Sequence, residues 1–279
     1  MAYRTDLAVE LLENLRGRDE LSGVSEREYE REGLHIHEAE VTTERAARLL
    51  GKPCGRYLTL SLEALSRREE EAFPRSVRVL AALIETLLPP LDSAAPVLIA
   101  GLGSRSITPD AVGPRSADHV IATRHLISRS PEFFASWRPV SVLAPGVLDH
   151  VRPRAVIAID ALAAGRLSRL VRTVQLADTG IVPGSGVNNA RTALDRQTLG
   201  VPVVSIGVPT VADGGSLAHE IAQQLDGAQC EALDDLSQPF IITTRDIDRE
   251  VADTARLIGY AVNMALQHIS VEEIDLYLS

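Results

Sequence analysis

Ala155-Val-Ile-Ala-Ile159 is an uninterrupted apolar run that ends in an aspartate, Asp160. A run this short, with no polar alternation, reads as a strand covered on both faces. Val97-Leu-Ile-Ala100, Val140-Ser-Val-Leu-Ala144 and Val201-Pro-Val-Val-Ser-Ile-Gly-Val208 are of the same kind, the last with its proline at the strand's start, where it does least harm. Helical patterns lie between them. Val77, Leu80, Ile84, Leu87 and Leu88 recur at helical spacing until Pro89-Pro90 stops them. Pro114 fits the first turn of a helix through about Ile127. Further helices are expected over 216–225, with Leu217, Ile221 and Leu225 on one face, and over 244–269, with Thr244 as N-cap and Ile247, Val251, Ile258, Val262, Ala265 and Ile269 on one stripe. The order predicts one α/β domain over residues 1–279, a mostly parallel sheet covered by helices. Leu34-His-Ile-His-Glu38 and Arg56-Tyr-Leu-Thr-Leu-Ser-Leu62 alternate and predict a small extra β element near the N-terminus, while the charge-rich stretch 9–32 reads as a solvated helix or loop.

Composition narrows the functional classes. Hydrophobic residues make up 45% of the 279, enough for a core without disulfides or metal staples. A net charge of −10 and no local Lys/Arg block argue against direct nucleic-acid binding. Cys54 and Cys230 have no second Cys or His at ligand spacing and read as isolated thiols. The N-terminus has no signal-type apolar stretch and no helix is apolar enough to span a bilayer, so a soluble cytoplasmic protein is expected.

Several motif-like strings carry little. Gly101-Leu-Gly103 lacks the third glycine of a dinucleotide loop, which would fall at Ser106. Pro183-Gly-Ser-Gly186 lacks the Lys-Ser/Thr ending of a P-loop and reads as a turn or substrate loop, so Gly184, Ser185 and Gly186 are substrate-loop candidates. Asp178-Thr-Gly180 spells the triplet of pepsin-like proteases, but that all-β fold needs two copies; Asp178 is expected instead to organise the neighbouring glycine-rich loop. His35 and His37 share a strand face without a third ligand nearby and read as solvent-facing.

Two aspartates remain. Asp110 follows a strand and a glycine-bearing turn and precedes the helix at Pro114, close to polarised backbone N–H groups. Asp160 closes its strand among Ala161, Ala163 and Ala164. Open α/β sheets bind ligands beyond the carboxyl ends of their strands. Two carboxylates there can share a proton, one activating water while the other protonates a leaving amine or carbonyl oxygen. Helix capping and strand closure would equally account for them.

In combination, these residues resemble the germination protease family of spore-forming bacteria. The matching segments include Tyr3-Arg-Thr-Asp-Leu-Ala-Val-Glu10, Gly55-Arg-Tyr-Leu-Thr-Leu60, Ile107-Thr-Pro-Asp110-Ala-Val-Gly-Pro114, Ala158-Ile-Asp-Ala-Leu-Ala-Ala164, Asp178-Thr-Gly-Ile-Val-Pro-Gly-Ser-Gly-Val187 and Ile206-Gly-Val-Pro-Thr-Val211, in the family's order. The resemblance implies a fold similar to hydrogenase-maturation peptidases and an endopeptidase of small acid-soluble spore proteins in the spore core, without a cofactor. It also implies a homotetramer and catalytic aspartates at Asp110 and Asp160. A zymogen that cuts itself near the N-terminus is implied as well, and Thr5-Asp-Leu-Ala-Val-Glu10 has the form of the cut segment, with Asp6 before the bond and Leu7 after it, making 1–6 a propeptide. That stretch would need to be extended and mobile; a helix capped by Asp6, with Leu7, Leu11, Leu12 and Leu15 buried, is the competing expectation.

Three departures stand out. Serines occupy Gly103-Ser-Arg-Ser106 where the family favours asparagines. The chain is shortened between Val147 and Arg154, which puts strand pairing near Asp160 in question, and again over 226–239. The other functions consistent with these residues are a metal-dependent peptidase, with a histidine joining the aspartates around a divalent ion, and an inactive homologue that only binds spore proteins.

Overall fold

A computed structural model describes residues 5–15, 22–143, 151–185, 191–215 and 240–279. Among them, nine strands form one sheet: β1 (Val24–Arg31), β2 (Leu34–Val41), β3 (Gly55–Ser61), β4 (Val97–Gly101), β5 (Val140–Leu143), β6 (Ala155–Ala164), β7 (Thr173–Ala177), β8 (Val203–Asp213) and β9 (Ile241–Ile242). The helices are α1 (Ala8–Leu15), α2 (Glu44–Leu50), α3 (Glu63–Ser66), α4 (Ala72–Leu87), α5 (Val112–Asp118), α6 (Arg124–Arg129), α7 (Pro131–Phe134), α8 (Arg196–Leu199), α9 (Ile247–Gln267) and α10 (Val271–Leu278). The expected helix over 216–225 and Cys230 lie outside the described residues.

The strand order is β1-β2-β3-β7-β8-β6-β4-β5, with β9 paired to β8. Only β5, β4, β6 and β8 run parallel; every other pairing is antiparallel. The sheet is therefore mixed rather than mostly parallel, and the N-terminal strands are not a separate element. They join the main sheet because β7, a strand with no uninterrupted apolar run to announce it, bridges β3 and β8. The shortened connection before β6 leaves the pairing intact, with β4 and β6 in register from Val97 opposite Ala155 to Gly101 opposite Ile159.

Other local expectations are corrected by named contacts. The charge run at 26–32 is mostly strand, not helix or loop: β1 is an exposed edge whose Arg27 pairs with Glu38 and whose Glu26 meets His37 at 2.9 Å, and charged edges resist further pairing. His37 is accordingly buried rather than solvent-facing, while His35 lies 3.4 Å from Glu28. The helix holding Pro114 stops at Asp118, because buried Asn263 accepts from the Ile121 N–H and donates to the His119 carbonyl, closing the turn at 2.8 Å on each side. Thr244 does not cap α9; its hydroxyl donates to the Glu250 carboxylate and the helix begins at Ile247.

Alternation along the strands sorts the core. Leu58, Leu60, Ile99, Ile157, Ile159, Val174, Leu176, Val204 and Ile206 face α4, α5 and α9, where Val77, Leu80, Ile84, Ile258 and Val262 complete the main cluster. Smaller clusters cover the opposite face. One joins α1 and α2 to Ala39, Val41, Tyr57 and Ala177; another joins Leu7 and Val9 to Leu162, Ala164, Leu170 and Ala212.

Helix α5 touches the sheet backbone itself. A Cβ on Gly113 would lie 2.3 Å from the Leu102 carbonyl oxygen and 2.4 Å from that of Ile159. Gly113→Ala must therefore push α5 off β4 and β6, at an expected loss of about 2–3 kcal/mol. Urea unfolding measures it; a variant as stable as the wild type would show that α5 does not depend on this contact.

Candidate active site

Asp160 does not lie beyond its strand, because β6 continues to Ala164. It stands one residue past the last rung shared with β4, whose ladder closes with Leu102 N–H donating to the Ile159 carbonyl at 2.7 Å. From that point β4 leaves the sheet and the chain returns through a short 3-10 turn, Thr108–Asp110. Since β5 and β6 flank β4 on opposite sides, this crevice is where the parallel part of the sheet reverses direction, a usual place for ligands in such sheets.

Asp110 is held by the turn that precedes it. The Ser104 N–H donates to its carboxylate at 2.8 Å and to its carbonyl at 3.1 Å. Gly103 makes this possible: its φ is +106°, and a Cβ there would stand 2.0 Å from the Asp110 carbonyl oxygen. The Asp110 carboxyl is half-buried, and burial raises its pKa against the lowering effects of the Ser104 N–H and the Arg191 charge.

Asp160 is only 4% exposed. Burial pushes its pKa from 3.8 up to about 7, opposed by the Ala161 N–H at 2.9 Å and assisted by the nearby charges of Asp110 and Asp6. The two aspartates therefore feel each other, and Arg191 acts on both. A buried carboxyl that holds its proton to about pH 7 and a second, less enclosed one whose charge it feels can act as acid and base in hydrolysis. Among the described residues no group of three His, Cys, Asp or Glu side chains is arranged to hold a metal ion.

The N-terminal segment lies against this site. Asp6 N–H donates to the Ala163 carbonyl at 2.9 Å, and its carboxylate accepts from Ala163 N–H at 2.9 Å and from the Ser185 hydroxyl at 2.7 Å. The Asp6 carbonyl oxygen receives Lys52 Nζ at 2.8 Å and Gln175 Nε2 at 3.2 Å. Asp6 is buried at a bend in the chain and Leu7 has no exposed surface, so the stretch is pinned against β6 by its hydrogen bonds. Asp6 does not cap α1 either: its carboxylate is spent on Ala163 and Ser185, and Thr5 Oγ1 takes the Leu7 N–H at 3.0 Å. Glu10 anchors the helix that follows, accepting from Gly165 and Arg166 N–H at 2.7 and 3.0 Å. A cavity of about 200 Å³ adjoins the segment, lined by Asp6, Lys52, Leu162, Gln175, Ser185 and Gly207 among others.

The remaining candidates separate. Ser185 reaches Asp6, Gly184 forms the turn before it with φ +75°, and Gly186 lies outside the described residues. Asp178 is exposed and accepts from Arg56 N–H at 2.9 Å, which fastens the start of β3. Sequence reasoning missed Lys52, Gln175 and Arg191. Gln175 lies in the unannounced strand β7, and Lys52 and Arg191 sit in connections whose only local signals are Gly51 and the glycine-rich loop.

Comparison with known proteins accords with this geometry. The germination protease family matches residues 5–227. The germination protease of Caldanaerobacter subterraneus subsp. tengcongensis is 37% identical, over 96% of this chain and 95% of that protein. Its alignment runs to 309 positions against 279 residues here, so segments of the relative have no counterpart in this chain. The germination protease of Clostridium tetani is 32% identical over the whole of both chains, and that of Bacillus subtilis 40% identical over 78% of this chain and 65% of its own length. With a family match over residues 5–227 and similarity that runs the length of the molecule, the chain belongs to the germination protease family.

Proposed function

We propose that the protein is an endopeptidase that hydrolyses small acid-soluble spore proteins at germination, with Asp110 and Asp160 as its acid and base. The observation that carries this reading is the buried Asp160 carboxyl, held near pKa 7 in the crevice it shares with Asp110. Family membership supports the substrate class, the spore-core location and a homotetramer.

In the proposed reaction, water attacks the carbonyl carbon of a peptide bond and gives its proton to ionised Asp110. The carbonyl π pair moves to oxygen. Collapse of the tetrahedral species restores the carbonyl and expels nitrogen with the C–N pair, and Asp160 supplies the proton that this nitrogen takes. Products are a carboxylic acid and an amine, and the proton passed from Asp110 resets the pair. Asp160 suits the acid because burial keeps it protonated; Asp110 suits the base because its Ser104 N–H favours the ionised form.

We also propose that the chain is made as a zymogen whose Asp6–Leu7 bond is cut by the same pair. Asp6 is seated on β6 three residues from Asp160 in sequence register, at Ala163, and its charge contributes to Asp160's shift.

Asp110→Asn and Asp160→Asn should each lower cleavage of a purified spore protein at least about a hundredfold while leaving the fold intact, since Asn cannot exchange a proton. Full activity in either folded variant would sink the paired mechanism, and cleavage abolished by chelator would favour the metal route. Asp178→Asn should cost far less, because among the described residues that carboxylate accepts from Arg56 N–H, away from Asp110 and Asp160.

Activity should fall on the alkaline side as Asp160 loses its proton near pH 7 and on the acid side as Asp110 gains one. Stability carries the same signature. The folded state binds a proton at Asp160 that the unfolded chain has released between its ordinary 3.8 and about 7, so this contribution is full below about pH 4 and lost as pH rises through 7. Asp160→Asn should therefore match the wild type near pH 4 and exceed it at pH 8, by up to about 4 kcal/mol. Denaturant titrations at the two pH values read this directly; a pH-independent difference would contradict it.

A further inference from the structure

Lys52 is, among the described residues, a buried cationic end near the site that the proposed reaction leaves without a task. Gly51, left-handed with φ 63°, ends α2, and Lys52 N–H returns to the Ala47 carbonyl at 3.1 Å, so the side chain leaves the helix end in a fixed direction. The residue is partly exposed along its length, but its ammonium is enclosed enough for desolvation to lower its pKa, with Asp6 opposing. Nothing about α2 requires the charge.

Its hydrogen-bond acceptor is specific. Of the three oxygens that Asp6 offers, Lys52 Nζ meets the main-chain carbonyl, at 2.8 Å, and Gln175 Nε2 meets the same oxygen at 3.2 Å. The Asp6 carboxylate is meanwhile fully engaged elsewhere, by Ala163 N–H and Ser185. Gln175 is itself oriented, since its Oε1 accepts from Ala8 N–H at 2.6 Å. It thus grips the chain on both sides of the Asp6–Leu7 bond.

The sheet register relates these donors to the aspartate. Gln175 lies opposite Gly207 on β8, and Gly207 lies opposite Asp160 on β6. Residues that face one another across a sheet share a side, so Gln175 and Asp160 project from the same face on one rung, two strands or about 10 Å of backbone apart. Between them Gly207 has no side chain, and Leu162 folds over it as part of the cavity floor. The Asp6 carbonyl thus comes off the Gln175 end of the rung that carries Asp160.

We propose that Lys52, with Gln175, is the oxyanion donor of this protease: it stabilises the charge that develops on the carbonyl oxygen of the cleaved bond, first at Asp6 and then at the residue of a substrate seated in its place. The proposal rests on reading Asp6–Leu7 as the self-processing bond and Asp110 and Asp160 as the hydrolytic pair. As water adds to the Asp6 carbonyl carbon and its proton goes to Asp110, the π pair localises on the oxygen already facing the Lys52 ammonium. The two hydrogen bonds strengthen with the charge and relax when the C–N bond breaks and its pair leaves on the Leu7 nitrogen, protonated from Asp160. No atom is transferred to or from Lys52. Donors fixed on an oxygen before reaction lower the barrier because they need no reorganisation as charge appears.

The test uses the full chain and the variants Lys52→Met, Lys52→Arg and Gln175→Met. Intact mass follows release of the first six residues, and kcat and KM are measured on a synthetic peptide that carries the chain's own segment Tyr3-Arg-Thr-Asp-Leu-Ala-Val-Glu10. Lys52→Met is expected to slow self-cleavage and lower kcat at least about a hundredfold with KM little changed, and Lys52→Arg to recover part of the loss. A folded Lys52→Met with wild-type kcat overturns the proposal, as does a loss confined to KM or to melting temperature, which is what a purely structural lysine would give. Should Lys52→Met fail to fold by circular dichroism, Gln175→Met carries the same test: a tenfold or greater fall in kcat, an order-of-magnitude expectation for a lost neutral donor, supports it, and an unchanged kcat overturns it. If the wild type keeps its full mass yet cleaves the peptide, the self-processing reading fails alone, and the peptide kcat of the variants decides the role of Lys52. If Lys52→Met matches the wild type while Asp160→Asn is dead, the hydrolytic reading stands and the role of Lys52 falls.

Discussion

Backbone meets backbone where the pairing of β4 with β6 ends, and the rest of the site hangs on that contact. Gly113 lets the first turn of α5 rest on the carbonyls of Leu102 and Ile159, and Gly103 lets the returning turn close on Asp110. No flexible side chain intervenes between the helix that follows Asp110 and the strand that carries Asp160. The two carboxyls are therefore set by main-chain geometry, which tolerates far less variation than a rotamer. Asn263 from α9 then fixes the far end of α5, so the helix is fastened at both termini.

The electrostatics follow from that placement. A strand interior at the switch between β4 and β6 is dry, and a carboxyl there resists ionisation whatever its neighbours do. Asp110, at the rim, keeps one backbone donor and remains the easier of the two to ionise. Asp6 adds a third carboxylate to the neighbourhood but spends its charge on the Ala163 N–H and the Ser185 hydroxyl. Glu10 repeats the device one turn later with Gly165 and Arg166 N–H, and burial raises its pKa as well. The stretch after Asp160 is thus clamped to the N-terminus by acidic side chains bonded to main-chain amides.

Much of this was legible in the residues. The apolar runs at 97–100 and 155–159 signal buried strands because they are apolar throughout, and Asp160 stands out as the charge that ends one of them, whereas Val140–Leu143, read as the same kind, is the sheet's partly exposed edge. What could not be read depends on pairing. β7 has the composition of an ordinary alternating strand, so its role as the bridge between the antiparallel and parallel halves exists only in the sheet. Asp160 was expected past its strand because β4 stops there, whereas β6 runs on to Ala164 in partnership with β8 alone. Asp178, conspicuous as part of a protease-like triplet, accepts from the Arg56 N–H of β3. Lys52 and Gln175, inconspicuous in sequence, meet at one carbonyl across 123 residues because folding brings α2 and β7 together over the N-terminal segment.

The seat of that segment also orders events in time. Asp6 is bonded to Ala163, 157 residues away along the chain, and to Ser185, 179 away. The ribosome delivers residues 5–15 first, yet the surface that receives them does not exist until β6 and the turn at Ser185 have emerged and settled. Closing so long a loop has no local contacts to reward it along the way, so such a union forms late. An early part of the protein is thus docked late, after the strand that carries Asp160 has formed the surface that receives it.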